Sequence, residues 1–136
     1  MKNFFEQLRL LPDLEPQTGG TEADIVSEQE SLKNNGIAQI PQAYIDFLHL
    51  SNGLIYNGAM LFGIYSSEEN LLNITTLNLE IHHPLCHDLI LLGQNEMDYL
   101  GYNQKWKVYQ IIDKDDFEVL DEYQNCIEAL KDLLKI

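Results

Sequence analysis

The chain has 136 residues, with 22 Asp and Glu against 8 Lys and Arg and a formal net charge of −14. A chain of this length buries roughly two-thirds of the surface it exposes when unfolded, so one domain with one core is expected, and an apolar fraction of 45% argues against charge-driven disorder. The same acidity makes nucleic acid a poor direct partner, and the longest apolar stretch, Ala59 to Tyr65, is too short to span a membrane.

In chain order, the pattern predicts a short amphipathic helix over Asn3–Leu11, stopped at Pro12, and then a loop over Asp13–Gly20 containing Pro16 and Gly19-Gly20. Thr21 reads as the N-cap of a second helix, with Glu22 and Asp24 in the first turn; it runs to about Asn35 and ends at Gly36. Pro41 suits the first turn of a third helix. Ile40, Tyr44, Phe47 and Leu48 share one face of that helix, Gln42, Asp46 and His49 fall on the other side, and Asn52-Gly53 is expected to form a left-handed C-cap. Asn57-Gly58 signals a hairpin leading into a strand over Met60–Tyr65. Ser66-Ser67-Glu68-Glu69 resembles a helix start, and Asn70–Ile81 is read as helical, although Thr75-Thr76 weakens it; Pro84 ends whatever precedes it.

From Asp88 the period changes. Leu89–Leu92 suits a buried strand, followed by strands over Tyr99–Tyr102 and Lys105–Ile112 with Asn103-Gln104 as a tight turn. Phe117–Glu122 is a further strand after the Asp113-Lys114-Asp115-Asp116 turn. Strands this close together must be antiparallel, because a parallel crossover needs about a dozen residues. Asn125–Lys135 returns to helical spacing, with Ile127, Leu130 and Leu134 inward. Helices first, a meander next and a helix last make an α+β fold, an antiparallel sheet packed against helices.

Little in the chain points to chemistry. His82-His83-Pro84-Leu85-Cys86-His87 offers zinc-ligand types, but Pro84 prevents a regular helix there and no second ligand pair stands elsewhere, so it is read as a loop. A calcium loop starting at Asp113 would need Gly and Glu where Glu118 and Gln124 stand. No nucleophile elbow, zinc-protease pair, phosphate loop or dinucleotide fingerprint occurs; no enzyme activity, metal or cofactor is expected. Glu6 and Arg9 interrupt the start where an export signal needs an apolar run, so a cytoplasmic protein is expected, with Cys86 and Cys126 as reduced thiols and Cys126 in the core. Alternation along Lys105–Asp113 groups Trp106, Val108, Gln110 and Ile112 as the better core face, leaving Tyr109 with Lys105, Lys107 and Ile111. Tyr109 is then either part of a solvent-facing patch with Tyr99 or a half-buried sheet residue.

The segment from Ile40-Pro41 through Tyr44 and Phe47-Leu48 to Asn52-Gly53 resembles the signature of the SUKH superfamily. The upstream helix with Glu28 and Glu30, the later Leu91-Leu92-Gly93, Asp98-Tyr99-Leu100 and Val108-Tyr109, and the closing Ile127-Glu128-Ala129-Leu130 extend the likeness over about residues 21–134, with the YrhA-like bacterial branch nearest. The chain departs from the pattern at Gln42, where a charged residue is common, and in its His-rich middle. The resemblance implies a cytoplasmic immunity protein that neutralises a toxin domain, often a nuclease or deaminase, by direct contact; a non-catalytic scaffold or regulatory module of the same family is the alternative. A basic toxin partner agrees with the charge. The expected contact surface is the sheet and its turns, with Glu96, Asp98, Asp113, Asp115 and Asp116 attracting the partner and Tyr99 and Tyr109 as anchors.

Overall fold

In the computed structural model, which describes residues 1–64, 73–81 and 87–136, seven strands pair in strict chain order, each antiparallel to the next. They are β1 (Glu15–Pro16), β2 (Leu54–Tyr56), β3 (Ala59–Leu61), β4 (Leu89–Gln94), β5 (Asp98–Asn103), β6 (Val108–Asp113) and β7 (Val119–Tyr123). The order follows from the turns. Asn57 and Gly58 both have positive φ, 50° and 80°, which matches the twist of a two-residue hairpin. The Asp113–Asp116 turn connects β6 to β7, which begins at Val119 rather than Phe117 because Phe117 takes positive φ, 58°, and donates back to the Asp113 carbonyl. With α1 (Lys2–Leu8), α2 (Glu22–Asn34), α3 (Gln42–Leu50), α4 (Ile74–Ile81) and α5 (Cys126–Leu134), the fold is α+β. Among the described residues no helix is long and apolar enough to cross a membrane.

The helix signals act where the sequence puts them. The Thr21 side chain accepts from the Asp24 N–H at 3.2 Å, and Gly36 takes φ +71°. On α3 the apolar stripe of Tyr44, Phe47 and Leu48 is fully buried, and the Phe47 ring packs edge-on to Phe5 of α1 at 6.5 Å. Pro41 is the N-cap of α3, with extended ψ of 151°, one residue earlier than the first-turn place expected for it. Residues 17–20 lie against the end of α3: the Gln17 N–H donates to Ser51 Oγ at 2.8 Å and the Gly20 N–H to the Leu48 carbonyl at 2.7 Å. A Cβ on Gly19 would stand 2.0 Å from the His49 carbonyl oxygen, so only glycine permits this approach.

Four expectations need correction. The first helix ends at Leu8, not Leu11, because Leu10 and Leu11 close three-residue turns onto Gln7 and Leu8. The loop Asp13–Gly20 contains β1, an edge strand, where Pro16 costs little. Asn52 is not a C-cap; only Gly53 takes positive φ, 89°, while Asn52 is buried. Trp106 is not a core residue. Asn103 Oδ1 accepts the N–H groups of Lys105 and Trp106 and lifts them out of the ladder, so β6 begins at Val108 and Trp106 is 66% exposed in the turn. Residues 65–72, including the Ser66–Glu69 helix start and the first part of the Asn70–Ile81 segment, lie outside the described residues, as do residues 82–86.

Three side-chain amides stand in for missing strand neighbours. Gln29 accepts from the Ile40 N–H at 2.8 Å and donates to its carbonyl at 3.1 Å; Asn52 does the same to Ile64 at 2.6 and 3.1 Å, and Asn78 to Leu91 at 2.8 and 2.9 Å. An amide offers a donor and an acceptor side by side, so it can pair with a backbone as a peptide would. Glu28, also buried, accepts from Asn73 Nδ2 at 2.6 Å and Thr75 Oγ1 at 2.7 Å and ties α2 to the start of α4.

The register sorts the sheet into two faces. Asp98, Leu100 and Tyr102 of β5 stand opposite Asp113, Ile111 and Tyr109 of β6 on the face that α5 covers with Cys126, Ala129, Leu130, Leu133 and Leu134. On the opposite face one lateral row crosses every strand: Glu15, Ile55, Met60, Gln94, Tyr99, Ile112 and Val119.

Candidate partner-binding surface

Because consecutive strands reverse direction, the β2–β3, β4–β5 and β6–β7 turns emerge at one end of the sheet. The Lys114 N–H donates to the Met97 carbonyl at 3.1 Å and joins the last two turns. Asn95 Nδ2 donates to the Leu133 carbonyl at 3.1 Å and brings the C-terminal end of α5 to the same place. Five acids expected at the contact, Glu96, Asp98, Asp113, Asp115 and Asp116, are therefore neighbours, although they come from two turns and their strand ends.

Their environments differ. Asp113 Oδ1 accepts the N–H groups of Asp115 at 2.7 Å and Asp116 at 3.3 Å, and Asp116 Oδ1 accepts from Glu118 at 2.9 Å. These bonds hold the turn and leave Asp115 and Asp116 exposed, as is Glu96. Asp98 is different: it is only 8% exposed. Burial pushes its carboxyl pKa up, with Asp113 and Asp132 adding to the shift and Lys135 and Lys114 opposing it. Lys114 Nζ lies 5.2 Å above the Tyr99 ring and Lys135 Nζ pairs with Asp132 Oδ1 at 3.4 Å. With Glu118 included, acids outnumber lysines at this end. The β5–β6 turn at the opposite end displays Lys105, Trp106 and Lys107.

The two expected tyrosine anchors separate. Tyr99 is half-buried on the face away from α5, its ring 5.9 Å from that of Phe117. Tyr109 is 4% exposed beneath α5, its ring 4.8 Å from Tyr102. It interacts with the Cys126 thiol, and its hydroxyl pKa is raised mainly by burial. The reading of Tyr109 as an exposed anchor is therefore corrected: α5 covers it. In its place the register exposes apolar side chains that sequence reasoning did not single out, Met97 at the turn and Ile55 and Val119 in the lateral row, 68%, 37% and 43% exposed. The Asn57-Gly58 hairpin was the available signal for Ile55 and Met60, since its type fixes their pairing.

Among the described residues no group of three or more His, Cys, Asp and Glu is placed to hold a metal ion. Of the histidine-rich segment, His82, His83 and Cys86 lie outside the described residues.

No protein-family profile matches the chain, and no curated protein matches it in sequence. Among solved structures, the crystal structure of a protein from Pseudomonas syringae pv. tomato is similar over the whole of both chains, with a TM-score of 0.71 at 16% identity. That likeness establishes the α+β fold over the full length of this chain.

Proposed function

We propose that this chain is an immunity protein of the SUKH superfamily, which acts in the cytoplasm and neutralises a basic toxin domain by binding it, without catalysis. The observation that carries the reading is the gathering of Glu96, Asp98, Asp113, Asp115 and Asp116 at one end of the sheet through the bond between Lys114 and Met97. A toxin that attacks nucleic acid must present a basic face to phosphates, and an acidic end on a chain of net charge −14 is complementary to it. Met97, Tyr99 and Phe117 beside those acids supply apolar contact that would slow dissociation once the partner has arrived. The residues behind the family resemblance also fit a structural role: Tyr44, Phe47 and Leu48 fill the core, and Asn52 pairs with Ile64.

The test is to express the toxin domain encoded beside this gene with and without this chain, and to measure growth and complex formation. Rescue of growth with a stable complex, formed more slowly at physiological than at low salt, is the expected result. Equal killing in both strains, or an association rate indifferent to salt, refutes the reading.

A further inference from the structure

Between the β2–β3 turn, the β4–β5 turn and the last turn of α5 lies a cleft of about 410 Å³, within the roughly 300–1,000 Å³ range of ligand pockets. Met97, Leu133 and Leu134 give it apolar walls, and Glu96, Asp98 and Lys135 line it as well. Asp98 is the unusual member. It is more than nine-tenths buried, and among the described residues no donor bonds its carboxylate; its backbone makes the bonds to the turn instead, the N–H donating to Asn95 Oδ1 at 2.8 Å and the carbonyl accepting from the Asn95 N–H at 2.9 Å. The charged groups facing it are Asp113 on β6, Lys114 in the β6–β7 turn, Asp132 on α5 and Lys135 just after that helix. The two cations among them act on the carboxylate through space but make their close contacts elsewhere, Lys114 over Tyr99 and Lys135 with Asp132. A buried carboxylate with no hydrogen-bond donor is unfavourable unless something else completes it. The C-terminal end of α5 adds the negative pole of its helix dipole to the same cleft.

We propose that this cleft is the receptor for one arginine side chain of the bound partner, with the guanidinium against Asp98, Glu96 at the mouth, and the aliphatic stem along Met97 and Leu133. Arginine fits better than lysine. Its planar fork can serve both carboxylate oxygens, and it is shed from water more readily than a compact ammonium. The proposal takes from the preceding section only the nature of the molecule that carries the arginine; the cleft itself can be tested without any toxin.

The probe is N-acetyl-arginine amide, titrated into the isotope-labelled full chain and followed through the amide resonances of Gly58, Met97, Asp98, Leu133 and Lys135. Saturable shifts at these amides, in the low millimolar range and absent with N-acetyl-norleucine amide, are expected. Asp98→Asn should weaken binding at least tenfold while leaving the spectrum that of a folded chain. Lys135→Met, which removes a competing cation, should tighten it several-fold and provides a second variant should Asp98→Asn misfold. Affinity should fall as pH drops through the raised carboxyl pKa of Asp98, since the protonated acid no longer attracts the guanidinium. No saturable shift, equal shifts with norleucine, or unchanged affinity in Asp98→Asn overturns the proposal. Arginine binding without protection from the toxin would refute the immunity reading alone, and protection without arginine binding would refute the cleft alone.

Discussion

Replacing Asn78 by leucine isolates the energetic role of the amide pairing. Asn78 and Leu91 are both buried, and the side chain serves the Leu91 N–H and carbonyl and also the Ile74 carbonyl of its own helix at 2.8 Å. Leucine has nearly the same shape but leaves both Leu91 groups without their partner, at about 1–3 kcal/mol each. Its apolar burial offsets roughly 1.5–3 kcal/mol of that loss. A net destabilisation of about 2 kcal/mol is expected, which lowers the urea midpoint by about 1 M at a slope of about 2 kcal/mol per M. Asn78→Asp adds a test of sign. An ionised carboxylate still accepts from the Leu91 N–H but faces two carbonyl oxygens, so burial and repulsion raise its folded pKa above the unfolded value. The folded variant then binds more protons than the unfolded chain, so its deficit against wild type grows with pH between the unfolded and the folded pKa and is smaller at pH 5 than at pH 7. A leucine variant within about 0.5 kcal/mol of wild type, or an aspartate deficit equal at pH 5 and pH 7, refutes the reasoning.

Phe47→Ala should cost about 3–5 kcal/mol in chemical denaturation, since its fully buried ring packs on Phe5 and Tyr44. The combined change of Asp113, Asp115 and Asp116 to Asn should slow partner association in stopped flow yet leave the melting temperature near that of wild type, because asparagine keeps the Oδ1 acceptors that hold the turn; association at the wild-type rate would remove the turn from the contact surface. Burial pushes the Cys126 thiol up to about 11 despite the opposing Tyr109 hydroxyl, so in a Cys86→Ser background an alkylating reagent at pH 8 should modify Cys126 only as fast as the chain opens. Tyr109→Ala should destabilise the fold by about 3–5 kcal/mol, a loss visible without any partner present.

What was legible in the sequence was local. Thr21, Gly36 and Asn57-Gly58 each act through the backbone a few residues away, so their meaning did not depend on the rest of the fold. Tyr109 was different. Its strand is buried on both faces, with Gln110 and Ile112 as covered as Tyr109 and Ile111, and the face that meets the core is chosen by α5, which follows later in the chain. Counting Trp106 as a strand residue tipped the choice the wrong way. Had Asn103 been read as the start of an Asx turn, Trp106 would have dropped out, and the set without a polar member, Tyr109 and Ile111, would have been the inner one. The cleft around Asp98 was illegible for a similar reason, since it needs the C-terminal end of α5 beside two turns distant in sequence. Gln29, Asn52 and Asn78 looked like ordinary helix or turn polars, because an amide acquires its backbone partner only when the tertiary fold supplies one.

The strictly sequential strand order also bears on how quickly the chain can reach its native state. In residues 89–136 every strand pairs with one a short turn away, and α5 folds directly back over β5, β6 and β7, so this half can assemble from contacts that cost little loop-closure entropy. Two joins are more expensive. The β3–β4 pairing of Leu61 with Gly93 and the β1–β2 pairing of Glu15 with Ile55 each close a long stretch of chain, and β1 repays its closure with only two residues. The C-terminal meander should therefore form first and the N-terminal edge last. In hydrogen exchange, amides in the centre of β5 should open only with the whole molecule, while those bonding β1 to β2 should exchange through a smaller, earlier opening.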